Sequence, residues 1–186
     1  MIFNETKIKG VYDIDTEPHE DKRGFFMRTY DDKKFKDKGL NRDWVQENHS
    51  FSKHKNIIRG LHFQFKPHGE TKLVRVVSGE IYVVFADLRK DSDTFGKWGS
   101  ITLSKDNRKM LYAPKGIAMG ICTMTENCAL LYKMDNHYAP ESQGAIRWND
   151  PDLAIEWPID DPILSERDSE AMSFKEFVEK HVGLEE

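Results

Sequence analysis

Cysteine is scarce in this chain. Only Cys122 and Cys128 occur among 186 residues, too few for a disulfide framework, and without an export signal both are expected as reduced thiols. The opening MIFNETKIKG lacks the charged-then-apolar layout of a secretory leader. No apolar run approaches the roughly 18 residues of a membrane span, so a cytoplasmic protein with no membrane partner is expected. A basic excess is also missing: the formal net charge of −4 argues against a nucleic-acid binder that works by neutralising phosphates. A local basic pocket for a small phosphorylated ligand stays open. The seven histidines include no H-x-H or H-E-x-x-H spacing. The nearest approach is His62-Phe63-Gln64, whose last member is a poor ligand, and HED (19–21) and HKN (54–56) lie in polar segments. No metal and no cofactor are expected.

What is present is a globular composition, 38% hydrophobic and 32% charged, in a chain long enough to bury one core. With no repeat, low-complexity stretch or linker, 1–186 is expected as a single domain, its core at about 45–145 and the terminal segments packed on it. The middle is strand-like. TKLVRVVSGEIYVVFADLR (71–89) is two Val/Ile-rich runs broken by Ser78-Gly79, a short-hairpin signal, and the second run is nearly continuously apolar, as in a strand covered on both faces. WGSITLS (98–104) and ALLYKM (129–134) predict further strands, and 105–120 predicts a turn, a strand and a Pro-Lys-Gly turn. Short strands punctuated by Gly, Pro and Asn indicate an antiparallel sandwich or barrel. Helical patterning is confined to 30–40, closed by Gly39, and to 173–184. In the latter, Phe174, Phe177, Val178 and Val182 share a face between a Ser173 cap and a Gly183 stop, packed on the sheet or on a second subunit. In the Pro- and Asp-rich segment 139–168, Trp148 and Trp157 should pin the chain to the body.

The chemistry-bearing candidate is IIRGLHFQ (57–64), where Arg59 and His62 stand among apolar neighbours. His62 is either a buried histidine hydrogen-bonded for structure or a base, being the side chain that titrates nearest neutral pH. A base of this kind needs an acidic partner on its other nitrogen, and nothing local supplies one. Lys72 is an edge lysine or a functional cation, Arg23 in DKRGFF is turn surface or a ligand contact, and together with Arg59 they would make an anion site. Tyr132 alternates with apolar neighbours and suits a core tyrosine equally well.

Read in order, DKRGFF, QENHSFS, IIRGLHFQ, KLVRVVSGEIYVVFADLRKDSDTFGKW, LSKDN, APKGIAMG, LYKMDNHYAPES, IRWNDPDLAIEWP and PILSERD run from about residue 21 to 168. This string resembles the nucleotide-diphospho-4-keto-6-deoxysugar 3,5-epimerases, the dTDP-4-dehydrorhamnose type among them. The resemblance implies an all-β, cupin-type jelly roll (double-stranded β-helix) with short peripheral helices. It also implies a homodimer in which the N-terminal region crosses to the other subunit, and an isomerase needing neither metal nor cofactor. It assigns His62 as the base at C3 and C5 of the sugar, Asp168 as its orienting carboxylate, and Tyr132 as the acid on the opposite face. Lys72 and Arg59 would face the sugar and the diphosphate, and Arg23, Gln46, Glu47 and Asn48 would supply nucleotide-side and sugar-side contacts. Tyr138 is the alternative acid.

Four positions depart from the pattern usual in the thymidine-sugar enzymes. Met119 stands for a His, Arg28 for a Glu, Gln143 for a Glu and Arg167 for a Lys, all at ligand-facing positions. Methionine cannot donate as histidine does, and Arg28 inverts a charge beside the nucleotide. The expected substrate is a nucleotide-diphosphate sugar of the dTDP type. Alternatives are a CDP- or GDP-linked 4-keto sugar or heptose inverted at one centre, or a sugar-nucleotide-binding cupin without catalysis.

Overall fold

A computed structural model describes residues 1–185. In chain order its strands are β1 (Ile2–Glu5), β2 (Tyr12–Asp15), β3 (His19–Asp21), β4 (Gly24–Phe26), β5 (Gln46–Ser52), β6 (Ile58–Gln64) and β7 (Lys72–Ser78). They continue as β8 (Glu80–Asp87), β9 (Trp98–Ser104), β10 (Met110–Ala113), β11 (Ile117–Thr123), β12 (Cys128–Met134) and β13 (Gln143–Ala145). Three short helices are α1 (Asp32–Asp37), α2 (Glu166–Ser169) and α3 (Phe174–His181). One sheet runs β1-β2-β10-β7-β12-β5 and the second β13-β6-β11-β8-β9, while β3 and β4 form a separate hairpin. All pairings between the named strands are antiparallel, which is the expected jelly roll, and isolated parallel bridges such as Ile57–Ile163 and Ile146–Met172 tie the C-terminal segment to it.

The core lies between the sheets. Val74 and Val76 of β7, Leu111 of β10 and Leu130 of β12 meet Ile81, Val83 and Phe85 of β8 and Ile117 and Ile121 of β11. Period-two alternation sends Val84 and Ala86 to the other face of β8, where they pack with Phe177 of α3 and with Leu61 and Phe63 of β6. That double covering is why the run EIYVVFAD is nearly unbroken in its apolarity.

The break at Ser78-Gly79 is not a hairpin. β7 pairs with β10 and β12, and β8 with β11 and β9, so the turn carries the chain from one sheet to the other. Both runs need their apolar faces buried, and opposing them across the core achieves this where side-by-side pairing would not. Helix α3 keeps its predicted cap, a reciprocal Ser173/Glu176 capping box, and packs on the outer face of the second sheet. Phe177 is fully buried there, worth roughly 1.5–3 kcal/mol of apolar transfer. Val182 leaves the stripe: it adopts φ +63° as the helix ends and stays 69% exposed. Helix α1 is capped by Asp31, whose side chain accepts from the Lys34 amide, and it buries Phe35 against Tyr112 and Met110. In the 139–168 segment Trp157 packs on the second sheet beside Tyr82 of β8, while Trp148 enters through its backbone, its carbonyl accepting from Trp157 Nε1 at 2.7 Å.

Candidate active site

Arg59 and His62 are three residues apart on β6, and a regular strand would send them to opposite faces. The pairing with β11 removes the conflict. Met119 faces His62 and Ile121 faces Arg59, so two steps on β11 span three on β6. This bulge restores a common face, and both side chains line one cavity. Gly60 makes it possible. Its φ is +120°, and a Cβ there would stand 2.6 Å from both the Gly120 Cα and the Met119 carbonyl oxygen.

The cavity, about 500 Å³, opens between β5, β7 and β12 of the first sheet and β6 and β11 of the second. His62 enters from the second sheet, and its Nε2 lies 2.6 Å from Asp168 Oδ1. Asp168 sits in α2, 106 residues further on, and is 4% exposed. Burial disfavours its charge, yet hydrogen bonds from His62, from Ser165 and from the Gly60 amide together hold the carboxyl below its usual range.

Tyr132 enters from β12 of the opposing sheet. Burial raises its pKa; the Arg59 cation opposes that shift and the Glu70 carboxylate reinforces it, so the phenol stays protonated through and beyond neutral pH. Beside them, Lys72 Nζ lies 3.0 Å from Glu70 Oε1 and donates to the His62 carbonyl at 3.3 Å. The rim is polar. Tyr138 Oη donates to Gln143 Oε1 at 3.2 Å, and the Tyr138 amide donates to Gln46 Oε1 at the same distance. Asn48, Gln143 and Arg167 complete it, while Met119 forms part of the wall.

Three residues of the sequence-derived set lie elsewhere in this chain. Glu47 is on the other face of β5 from Gln46 and Asn48, and its Oε1 is 3.3 Å from Lys133 Nζ. Arg23 is at the tip of the β3–β4 hairpin, 84% exposed and bound to Asp21. Arg28 lines a separate cleft with Glu17, His19 and Phe26, 3.5 Å from Asp31. Among the lining residues outside the sequence-derived set, three make polar contacts that shape the pocket. Glu70 lies two positions before Lys72, the spacing that puts strand neighbours on one face, and its Oε2 is buried without a partner. Met134 accepts through Sδ from Gln46 Nε2 at 3.1 Å and Asn48 Nδ2 at 3.3 Å. Gln64 ties the segment after β12 to the loop before β7, donating to the His137 and His68 carbonyls and accepting from the Ala139 amide. Among the described residues, no three His, Cys, Asp or Glu side chains gather into a metal-binding group.

Residues 5–176 match the family model described as dTDP-4-dehydrorhamnose 3,5-epimerase. A relative of that name from Methanothermobacter thermautotrophicus is 44% identical over 170 residues, covering 89% of this chain and 90% of its own. The crystal structure of the enzyme of that name from Elizabethkingia anophelis is 41% identical and superposes with a TM-score of 0.90, covering 95% of this chain and 97% of its own. A dTDP-6-deoxy-D-glucose-3,5-epimerase from Legionella pneumophila, solved in complex with dTDP-4-keto-L-rhamnose, is 33% identical with a TM-score of 0.92, covering 100% and 98%. The chain belongs to the dTDP-4-dehydrorhamnose 3,5-epimerase family and is an isomerase.

Proposed function

We propose that His62, Asp168, Tyr132 and Lys72 invert carbon centres next to the C4 ketone of a nucleotide-diphospho-4-keto-6-deoxysugar, with dTDP as the carrier. The observation that carries this reading is the opposition of a carboxylate-held imidazole on one sheet to a protonated phenol on the other, across one cavity. A ketone acidifies the C–H bonds beside it because the resulting carbanion is an enolate. With Nε2 bound to the Asp168 carboxylate, His62 takes the C3 or C5 proton through Nδ1. The electron pair of the broken C–H bond moves onto the C4 oxygen, where the Lys72 ammonium stabilises the charge. Tyr132 then gives its O–H proton to the same carbon from the opposite face, which inverts the centre. His62 is left protonated and Tyr132 as a phenolate, and exchange with solvent resets both. Each inverted centre therefore acquires one solvent hydrogen. The activating group lies within the substrate.

Arg59, Arg167, Gln46, Asn48, Tyr138 and Gln143 at the rim bind the diphosphate and sugar in this reading. The chain acts as a cytoplasmic homodimer in which the β3–β4 hairpin reaches a second copy and delivers Arg23 and Arg28 to its nucleotide side. Exposed Phe25 (52%) and Phe26 (67%) on that hairpin support the crossing. A second reading, inversion at a single centre, draws support from the apolar side of the cavity. Two centres served by one base require the ring to be re-presented to His62, and the cavity in which it would turn is walled in part by Met119, opposite His62, and by Met134.

Incubation in D2O with dTDP-, CDP- and GDP-linked 4-keto-6-deoxysugars tests the reaction, its carrier and the number of centres inverted. Deuterium is expected at C3 and C5 of the dTDP-sugar, and its absence from all substrates would remove the catalytic reading in favour of a binding cupin. H62A is expected to abolish exchange. Exchange at a comparable rate in H62A would refute the base assignment.

A further inference from the structure

Asp168 is held at both oxygens, and only one of these contacts goes to His62. Oδ1 accepts from His62 Nε2 at 2.6 Å and from the Gly60 amide at 3.4 Å. Oδ2 lies 2.8 Å from Ser165 Oγ, and the same hydroxyl accepts from the Asp168 amide at 3.2 Å. A serine hydroxyl has one proton and two lone pairs, so it can receive the amide and donate to the carboxylate at once. We infer that Ser165 is a positioning residue of the reaction, its hydroxyl proton fixing the rotation of the Asp168 carboxylate so that Oδ1 stays on His62. The inference rests on the reading of His62 as the base.

The geometry assigns Ser165 more than a helix cap. A cap needs only the acceptor function, which the amide contact fulfils, and α2 is four residues long. The donated bond instead reaches the carboxylate that orients the imidazole. Asp168 is 4% exposed, so Oδ2 has little access to water that would replace a lost donor. Without Ser165 Oγ the carboxylate loses its donor at Oδ2, and its rotation is restrained only through Oδ1. Each turn misaligns Nε2, and with it the nitrogen facing the substrate. Outer partners that orient metal-ligating side chains typically change affinity or activity by roughly 10–100-fold, and an effect of that order is expected for this analogous hydrogen-bonded pair.

The test separates donor from cap. Glycine serves almost as well as serine at an N-cap but has no hydroxyl, whereas threonine keeps both functions. Thermal midpoints, kcat and KM are measured for wild type, S165G, S165T and H62A. S165G is expected to lose roughly 10–100-fold in kcat with KM changed less than about threefold and a midpoint near wild type, and S165T to recover most of kcat. A wild-type kcat in S165G overturns the inference, as does a loss in S165G that S165T does not recover although it folds. Retained activity in H62A would instead overturn the base assignment on which the inference rests, so the two failures are distinguishable.

Discussion

Gly60→Ala tests the link between backbone geometry and chemistry most sharply. The added Cβ would lie 2.6 Å from the Gly120 Cα and 2.6 Å from the Met119 carbonyl oxygen, both backbone atoms that no rotamer change can move aside. Its φ of +120° adds a conformational cost of order 1–3 kcal/mol for any residue with a side chain. The strands must also separate to relieve the overlap, and overpacking of this kind costs roughly another 1–3 kcal/mol. The sum, about 2–6 kcal/mol, would lower the thermal midpoint by several degrees or more in a chain of this length, at roughly 2–4 °C per kcal/mol. Catalysis should suffer further, because the bulge that Gly60 allows brings Arg59 and His62 to one face, and the Gly60 amide itself donates to Asp168. A displacement near 1 Å costs on the order of 100-fold in rate. Gly39→Ala is the control: its φ is +69°, but no atom lies within 4 Å of the added Cβ, so it carries the conformational cost without the clash and far from the cavity. Differential scanning fluorimetry and deuterium uptake in D2O measure both effects. A G60A protein with the midpoint and exchange rate of G39A would refute the reasoning.

Tyr132→Phe should slow turnover by roughly 100–10,000-fold while His62 still abstracts, so deuterium would appear without inversion; unchanged kinetics and product would remove Tyr132 from the mechanism. Glu70→Ala strips the Lys72 ammonium, whose side chain is only 13% exposed, of its carboxylate partner. A loss of up to roughly 3 kcal/mol in urea unfolding is expected, smaller in E70Q, and equal stability of all three forms would show the pair to be inert. The depressed Asp168 carboxyl makes stability pH-dependent: its contribution is present above its ordinary value of 3.8 and is lost as the pH falls through the lower folded value. D168N should therefore be less stable than wild type at neutral pH, with the gap closing in acid, and a gap independent of pH would argue against an ionised Asp168.

Much of this was legible in the sequence, for reasons particular residues make plain. The doubly buried β8 announced itself because a strand covered on both faces has no polar side to display. Ser173 and Glu176 stand at capping-box spacing, and the box forms. Chain topology was less legible. A Ser-Gly break between two apolar runs fits a hairpin and a crossing between sheets equally well, and only long-range pairing with β10, β11 and β12 distinguishes them. The sharing of one face by Arg59 and His62 was also hidden, because strict alternation separates them and the bulge that reunites them depends on the partner strand. Glu70 was within reach of an i, i+2 rule applied to Lys72. Met134 was not, because a methionine in a strand ordinarily signals core, and nothing local shows that Gln46 and Asn48 will point their amides at its sulfur.

The pocket divides its labour between its walls, and this decides where substrate identity resides. The residues we assign as base, acid and cation all lie on strands, His62 within β6, Tyr132 within β12 and Lys72 at the start of β7, so in that reading the sheets that bury the core also fix the reacting groups. Those positions tolerate little drift, because moving any of them means moving a strand that pairs on both sides. The residues proposed to contact the substrate lie on less constrained ground. Tyr138 and Gln143 flank a short helical turn and Arg167 sits in a four-residue helix, while Arg23 and Arg28, proposed to act only across a dimer, belong to or follow a hairpin that pairs with no other strand. Met119 is the exception, a strand residue opposite His62 whose side chain touches the cavity without offering a donor. In the proposed reading, a change there would alter which sugar substituents fit beside the base while leaving the base in place. If those assignments hold, the sequence specifies the reaction more firmly than the substrate, because the sheets carry the reacting groups and the segments around them carry the substrate contacts.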